Sequence, residues 1–164
     1  MSMRGQLDPL LLAAAAIEPV DVEAAYVQHR ARLIGLAAAI TLDRSAAEDI
    51  VQEAFAGLQR HSAHVDNAVG YLQRSVVNLA VNFMRRRAVA ARHPRDPAPI
   101  ASSPAIDETW TSVAGLPAKQ RAVVVLRFWE DMTIDAIAET LSWPAGSVKS
   151  TLHRALARLK EDLK

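Results

Sequence analysis

Three groups of polar side chains in this chain have types and spacings that could do chemistry, and each fits one face of a helix. In the first group, amides and arginines recur at steps of three and four residues, which places them on the same side of a helix. Arginine can hold phosphates, asparagine can hydrogen-bond an unpaired base edge, and tyrosine can stack on a base. The group therefore fits either single-stranded nucleic acid or an ordinary polar surface. Its members are Tyr71, Arg74, Asn78, Asn82 and Arg85.

The second group lies near the C-terminus, on a predicted helix from about Ala145 to Leu163. Val148 begins an apolar stripe on this helix, and small polar and basic residues fill the other side. A shorter helix, which Thr133 can cap, precedes it across a brief turn, and this order predicts a helix-turn-helix. Hydroxyl and arginine side chains on such a helix can reach base edges and phosphates in the major groove, although a solvated basic face has the same pattern. The outward residues are Ser147, Lys149, Ser150, Thr151, Arg154 and Arg158.

The third group is acidic and lies on a predicted helix that opens at Ser45. Ser45 and Glu48 have the spacing of a capping box, in which each side chain bonds a free backbone amide at the helix start. Carboxylates repel DNA phosphates, so this face suits a basic protein partner or solvent. Its outward residues include Asp49, Gln52 and Glu53.

The sequence offers no residue pattern for catalysis, metal binding or a cofactor. It contains no cysteine, which excludes disulfides, zinc–thiolate sites and a cysteine nucleophile. His61 and His64 stand three positions apart without a third ligand nearby, whereas zinc sites use three or four protein ligands. The six glycines are scattered rather than grouped in a phosphate-binding loop. We therefore expect a protein that is not an enzyme and needs no cofactor.

Length and charge bound the organisation that must position these groups. The 164 residues are enough for one domain or two small ones. Lysine and arginine total 19 against 18 acidic residues, and this near balance hides basic clusters at 85–95 and 149–160 and an acidic cluster around 43–53. No charge-free stretch approaches the ~20 residues that cross a bilayer. We predict a cytoplasmic protein without direct membrane contact.

Proline divides the chain into two parts. Four of the eight prolines lie between residues 92 and 104, and proline cannot continue a helix. We therefore expect a flexible linker at 89–106. Apolar residues on both sides recur at helical spacing, without the alternation of strands, so the predicted fold is all-α with two small helical domains. The predicted bounds are a tail at 1–20, a first domain at 21–88 and a second domain, the helix-turn-helix, at 107–164.

Three segments together resemble a known family. AEDIVQEAF at 47–55, YLQRSVVNLAVNFMRRR at 71–87 and the stretch from LPAKQR to RALARLK at 116–160 are similar to bacterial RNA polymerase sigma factors. They are most similar to the small extracytoplasmic-function type, which keeps only the second and fourth conserved regions. The resemblance covers about 22–87 and 107–163, and the three motifs in this order are far more specific than any one alone.

The resemblance implies a role for each group of side chains. The acidic helix, through Asp49, Gln52 and Glu53, would bind core RNA polymerase. The strip on the next long helix, with the loop at about 61–70, would open the promoter −10 element and hold the separated strand. The helix-turn-helix would read the −35 element as duplex. The implied partners are core polymerase, promoter DNA and an anti-sigma factor.

Two other interpretations stay open at the level of sequence. A dimeric helix-turn-helix regulator would need an apolar face for dimerisation, and none is evident. A protein-binding module that occupies polymerase without touching DNA would keep its function when Arg154 and Arg158 are changed to Ala.

The chain departs from the family's pattern at two positions of the helix-turn-helix. Ser142 stands where family members usually carry Gly, at the end of the first helix. A left-handed backbone there would cost up to ~1 kcal/mol with Ser in place of Gly. Thr151 stands where the recognition helix often carries a basic residue, so the −35 sequence preference does not transfer.

Overall fold

Three long helices form the N-terminal half of the protein. The structure, a computed structural model, describes residues 19–91 and 108–164. Helix α1 packs against both of the other two helices, which also contact each other. The helices are α1 at Val22–Thr41, α2 at Arg44–His61 and α3 at Ala68–Ala90, with a 3-10 turn at Ser62–His64.

Each of these helices begins at a residue whose side chain caps it. Asp21, Asp43 and Asn67 have extended backbones, and each side-chain oxygen accepts a hydrogen bond from the amide three residues on, at 2.9–3.0 Å. The capping box predicted at Ser45 is therefore wrong. Asp43 supplies the capping carboxylate two residues earlier, so Ser45 already lies inside the first turn.

The C-terminal half, described over residues 108–164, consists of four helices, and the last of them is the longest. They are α4 at Glu108–Ala114, α5 at Ala118–Val124 with a π-helical turn continuing it at Val125–Trp129, α6 at Ile134–Leu141 and α7 at Ala145–Asp162. Helix α7 packs against α5 and α6. Thr133 caps α6, as predicted, since its hydroxyl accepts from the Ala136 amide at 3.2 Å. The order α6, turn, α7 confirms the predicted helix-turn-helix.

Ser142 ends α6 in the left-handed conformation that is expected where related sequences carry Gly. Its φ and ψ are 56° and 40°. The Ser142 amide donates to the Glu139 carbonyl, and the Trp143 amide donates to the Ala138 carbonyl at 2.9 Å. These bonds satisfy carbonyls at the end of α6 and turn the chain sharply into α7.

The two halves share one hydrophobic core. Helices α5 and α6 pack on α1 and α3, and one cluster of buried apolar side chains runs through all of them. Its fully buried members include Leu33, Leu72, Leu126, Ile137 and Val148. The all-α prediction is confirmed, whereas the close packing of the halves was not predicted, because periodicity shows that a helix buries one face but not which helix covers it.

One buried arginine joins the halves. Arg121 of α5 is only 3% exposed. Its Nε donates to the Ile40 carbonyl near the end of α1 at 2.9 Å, and its Nη1 donates to the Leu116 carbonyl at 2.7 Å. Burial lowers the pKa of the Arg121 guanidinium from its ordinary value.

Most of the predicted tail and most of the predicted linker lie outside the described residues. Residues 1–18 of the predicted tail at 1–20 lie outside them, as do residues 92–106 of the predicted linker at 89–106. Helix α3 continues to Ala90, two residues into the span assigned to the linker. Among the described helices, none is long and apolar enough to span a bilayer.

Candidate nucleic-acid interface and partner surfaces

The outer face of α7 is an exposed polar and basic surface. Val148 and Ala155 anchor the opposite side of the helix and are fully buried. Arg154 lies along the helix surface, where its Nε donates to the Ser150 carbonyl at 3.2 Å. We call the exposed residues the α7 face: Ser147, Lys149, Ser150, Arg154 and Arg158.

Thr151 does not belong to this face, so its predicted exposure is wrong. Its side chain is 7% exposed, and its hydroxyl lies 3.5 Å from Arg154 Nη2. Thr151 lies about 60° from Val148 around the helix, since three residues turn it by about 300°. Helix α7 packs against α5 and α6, and Thr151 is buried beside Val148 on that side of the helix. Thr151 can therefore orient Arg154 but cannot meet a base in this structure.

The amide and arginine strip on α3 is only partly free. Asn82 and Arg85, at its outer end, are exposed, and Asn78 is half-buried. Arg74 is exposed but donates from Nη2 to Glu139 Oε1 of α6 at 2.8 Å. We call Tyr71, Arg74, Asn78, Asn82 and Arg85 the α3 strip.

Tyr71, at the inner end of the strip, packs against α2. It is half-buried, and its hydroxyl lies 2.9 Å from where a Cβ on Gly57 would stand. The absence of a side chain at Gly57 is therefore what admits the Tyr71 hydroxyl. The ring of His61 lies 6.4 Å from the Tyr71 ring, and His61 Nδ1 is 2.8 Å from the Gly57 carbonyl.

The segment predicted to help open DNA lies beside this tyrosine. It runs from His61 through the 3-10 turn to the start of α3, with Val65 as its buried anchor. His61 and His64 remain without further ligands: within residues 19–91 and 108–164, no three His, Asp or Glu side chains group as a metal site would require.

The predicted acidic surface borders a groove between α2 and α3. Asp49, Gln52 and Glu53 are all exposed on α2. The groove has a volume of about 350 Å³ and an apolar floor that includes Leu79 and Phe83 of α3. Its rim carries Asp43, Asp49 and Glu53 against Arg86, so the rim is mainly acidic. Sequence reasoning missed the groove, because the helical spacing of Leu79 and Phe83 is the same whether they are fully covered by the core or, as here, half-buried at its edge.

Two carboxylates of the C-terminal half contact the N-terminal half. Glu130, whose side chain is 5% exposed, accepts hydrogen bonds from Arg32 of α1 and from Gln73 Nε2 of α3, the latter at 2.6 Å. Glu139 pairs with Arg74, as described above. Sequence reasoning missed these contacts because they join residues far apart in the chain. The only local signal was Glu130, an acid directly after a long apolar stretch.

Comparison with known proteins identifies the family. The model of sigma-70 region 2 matches residues 25–89, and the model of sigma-70 region 4 matches residues 106–159. The RNA polymerase sigma-E factor of Streptomyces coelicolor is 36% identical over 126 residues, which cover 71% of each chain. The ECF RNA polymerase sigma factor SigM of Mycobacterium tuberculosis is 33% identical over 161 residues, covering 92% of this chain and 81% of the relative.

A solved structure has the same fold. The sigma factor RpoE of Bartonella quintana, crystallised in complex with the anti-sigma factor NepR, superimposes with a TM-score of 0.67. The match covers 87% of this chain and 96% of RpoE at 21% sequence identity. The all-helical arrangement of both halves is therefore a known fold.

Proposed function

Since the chain belongs to the extracytoplasmic-function sigma factors of bacterial RNA polymerase, built from regions 2 and 4, we propose that it directs core polymerase to promoters by reading two DNA elements. The α3 strip contacts the −10 element and the α7 face contacts the −35 element. The acidic rim on α2 binds core polymerase. The chain catalyses no reaction of its own, needs no cofactor and acts in the cytoplasm, where promoters and polymerase are found.

The observation that carries this proposal is the pairing of two unlike surfaces on one small bundle. Asp49 and Glu53 expose an acidic rim over an apolar groove, which fits a basic protein with an apolar anchor. The α3 strip, on the helix that forms the other wall of the groove, carries arginines and amides instead. A protein bound in the groove would thus lie next to the strip, and DNA handled by that protein could reach it.

The α7 face fits duplex DNA better than single strands. It lies on the second helix of a helix-turn-helix, the element that enters the major groove in proteins of this design. Ser147 and Ser150, near the start of the helix, are small enough to let the backbone approach base edges. Arg154 and Arg158 reach farther along the groove toward phosphates and guanines.

The α3 strip fits a strand that has left the duplex. Asparagine amides such as Asn78 and Asn82 bond base edges that pairing would hide, and Tyr71 offers a ring for stacking. Extruding a base costs a few kcal/mol. Polymerase bound at the groove would share that cost, so the isolated chain need not open DNA alone.

An anti-sigma factor is the further partner we propose. The B. quintana RpoE with the same fold was crystallised with one. A protein that covers the groove on α2 would compete directly with polymerase, because it would occupy the acidic rim and apolar floor that we assign to polymerase.

The test is binding to sigma-free core polymerase. Asp49→Ala combined with Glu53→Ala removes two exposed acids from the rim, and we expect affinity for core to fall at least about tenfold. Glu161→Ala with Asp162→Ala is the matched control, since it removes two exposed acids at the far end of α7, and it should leave affinity unchanged. Circular dichroism should show equal helicity for both double variants.

The outcomes separate the competing functions. Loss of core binding in the rim variant alone supports the proposal. Equal binding by the unchanged chain and both double variants would show that the polymerase-binding site lies outside the acidic rim. No binding to core by the unchanged chain would overturn the proposal, and a stable dimer on palindromic duplex DNA would then favour the conventional regulator.

A further inference from the structure

The α3 strip contacts the C-terminal half at the place where we propose that it binds single-stranded DNA. Arg74 belongs to the strip, yet its guanidinium is paired with Glu139 of α6 at 2.8 Å. Gln73, its neighbour, donates to Glu130 at 2.6 Å. The C-terminal half thus occupies the inner end of the surface that we assign to single-stranded promoter DNA.

The contacts between the halves are complementary in charge. Both carboxylates, Glu130 and Glu139, come from the C-terminal half, and both arginines, Arg32 and Arg74, come from the N-terminal half. Arg32, Arg74 and Glu139 keep access to solvent, whereas the Glu130 side chain is 5% exposed. Glu130 is therefore the contact at which charge matters most.

Burial of Glu130 depends on the two halves being together. The two side chains that donate hydrogen bonds to its carboxylate, Arg32 and Gln73, both belong to the N-terminal half. A buried carboxylate needs such partners, because desolvation without pairing is costly. Replacing Glu130 by a cation would face it with Arg32 and turn the attraction into repulsion.

Apolar packing and Arg121 make the contact extensive. Helices α5 and α6 contribute Leu126 and Ile137 to the core they share with α1 and α3. Arg121 adds a buried hydrogen bond to the Ile40 carbonyl at 2.9 Å. Because both halves are one chain, this docking is intramolecular and needs no second protein.

The docked arrangement opposes DNA at the strip. Glu139 neutralises Arg74 and adds a carboxylate where a phosphate would approach, and α6 itself lies against α3. The α7 face is exposed in the same arrangement. Docking therefore blocks one DNA-reading surface and leaves the other free.

We propose that the free chain inhibits itself: its C-terminal half docks on the inner end of the α3 strip, with Glu130 as the electrostatic latch, and must leave before the strip can hold a DNA strand. This inference rests on the proposed function for the meaning of the strip. The apparent affinity of the strip for DNA is then its intrinsic affinity multiplied by the fraction of molecules that are open. Breaking the latch should raise that affinity.

The test uses two opening variants, one rescue and one control. Glu130→Arg reverses the latch charge opposite Arg32. Combining it with Arg32→Glu restores an attractive pair in the opposite orientation. Glu161→Arg makes the same change of net charge at an exposed position of α7, so it accounts for any general attraction to DNA. Glu130→Gln, which keeps the side-chain shape, serves as the second opening variant if Arg disturbs folding.

Opening is measured without DNA or polymerase. The chain has no cysteine, so spin labels can be placed at Ala56→Cys on α2 and Ala157→Cys on α7, both exposed. Pulsed electron resonance should give one narrow distance distribution for the otherwise unchanged chain and for the rescue, and a broad, longer one for Glu130→Arg. A broad distribution in the unchanged chain, or no difference for Glu130→Arg and Glu130→Gln, would overturn the inference.

Inhibition is measured with a short fluorescent single-stranded DNA of random sequence. Glu130→Arg should bind it about tenfold more tightly than the unchanged chain, the rescue should return to the original affinity, and Glu161→Arg should change it by much less. Opening without tighter binding would overturn the inhibitory role. The proposed function is judged separately, by core binding of the unchanged chain, so the two failures are distinguishable.

Discussion

The α7 face and the α3 strip use similar side chains but differ in how available they are. Every residue of the α7 face is exposed. Within the described residues, no hydrogen bond joins a side chain of the α7 face to the N-terminal half. On the α3 strip, Arg74 is paired with Glu139, and Tyr71 and Asn78 are half-buried. The surface suited to duplex DNA is open, and the surface suited to a separated strand is partly closed.

The difference comes from the positions of the two helices. Helix α7 contacts only other helices of its own half at length, whereas α3 contacts α1, α2, α5 and α6. Because four helices pack against α3, only a narrow strip of its surface before Arg85 is exposed to solvent. The DNA-binding surface that we propose on α3 is therefore open to control by a neighbouring helix, and two of the helices that pack beside it, α5 and α6, belong to the other half of the same chain.

The largest expected effect tests whether both surfaces belong to one cooperative unit. Leu126 is fully buried in the core that the halves share, so Leu126→Ala should lower the free energy of unfolding by about 3 kcal/mol. Because the core is shared, probes in both halves should shift together in urea denaturation. Leu156→Ala, at an exposed leucine of α7, should cost less than about 1 kcal/mol. Separate transitions for the two halves would show that they unfold independently and that the two surfaces do not belong to one cooperative unit.

The next effect concerns the buried arginine between the halves. Arg121→Leu leaves the Ile40 and Leu116 carbonyls without their donor, and we expect a loss of about 2 kcal/mol in unfolding free energy. Arg60→Leu, at an exposed position on α2, is the control and should be nearly neutral. Equal stability of both variants by urea denaturation would mean that Arg121 contributes nothing to the docking.

Two single arginine variants should distinguish the two surfaces that we propose bind DNA. Arg154→Ala should weaken binding to −35 duplex DNA about tenfold and leave single-strand binding unchanged, because one arginine contact is worth ~1–3 kcal/mol. Arg85→Ala, at the free end of the α3 strip, should do the reverse. Fluorescence anisotropy with the two DNA forms measures both. If each variant weakened both forms equally, the division of labour between α3 and α7 would be wrong.

The smallest effect concerns the turn that sets the angle of α7. Ser142→Gly should raise the free energy of unfolding by about 0.5–1 kcal/mol, because glycine adopts the left-handed backbone without strain. Ser75→Gly, inside α3, should lower it by about the same amount, since glycine weakens helix interiors. Thermal denaturation distinguishes the two signs. Destabilisation by Ser142→Gly would show that the serine side chain itself supports the turn.

Local features of this fold could be predicted from sequence. Thr133 as a cap, the left-handed Ser142 and the outward placement of Arg154 each depend on a few neighbouring residues. The helix-turn-helix follows from those features in order. Asp49 and Glu53 were placed on an exposed face by the same periodicity.

Features that depend on competition or on distant partners could not be predicted. Asp43 replaces Ser45 as the cap of α2 because two residues only two positions apart could both serve, and spacing alone does not choose between them. Thr151 lay at the boundary of the apolar stripe, where the width of the packing decides burial. The pairing of Arg32 with Glu130 joins distant parts of the chain, and no local pattern encodes it. The proline-rich segment favoured separate domains and gave no sign of their docking.

Run-off transcription with sigma-free core polymerase on a pool of the host's promoter fragments would decide whether this chain directs promoter recognition. We expect discrete transcripts that require the chain, vanish with Asp49→Ala/Glu53→Ala, and weaken with either Arg85→Ala or Arg154→Ala. Start sites should lie downstream of two shared sequence elements, one for each DNA-reading surface. Binding to core without any transcript, or transcripts indifferent to both arginine variants, would contradict the proposed function.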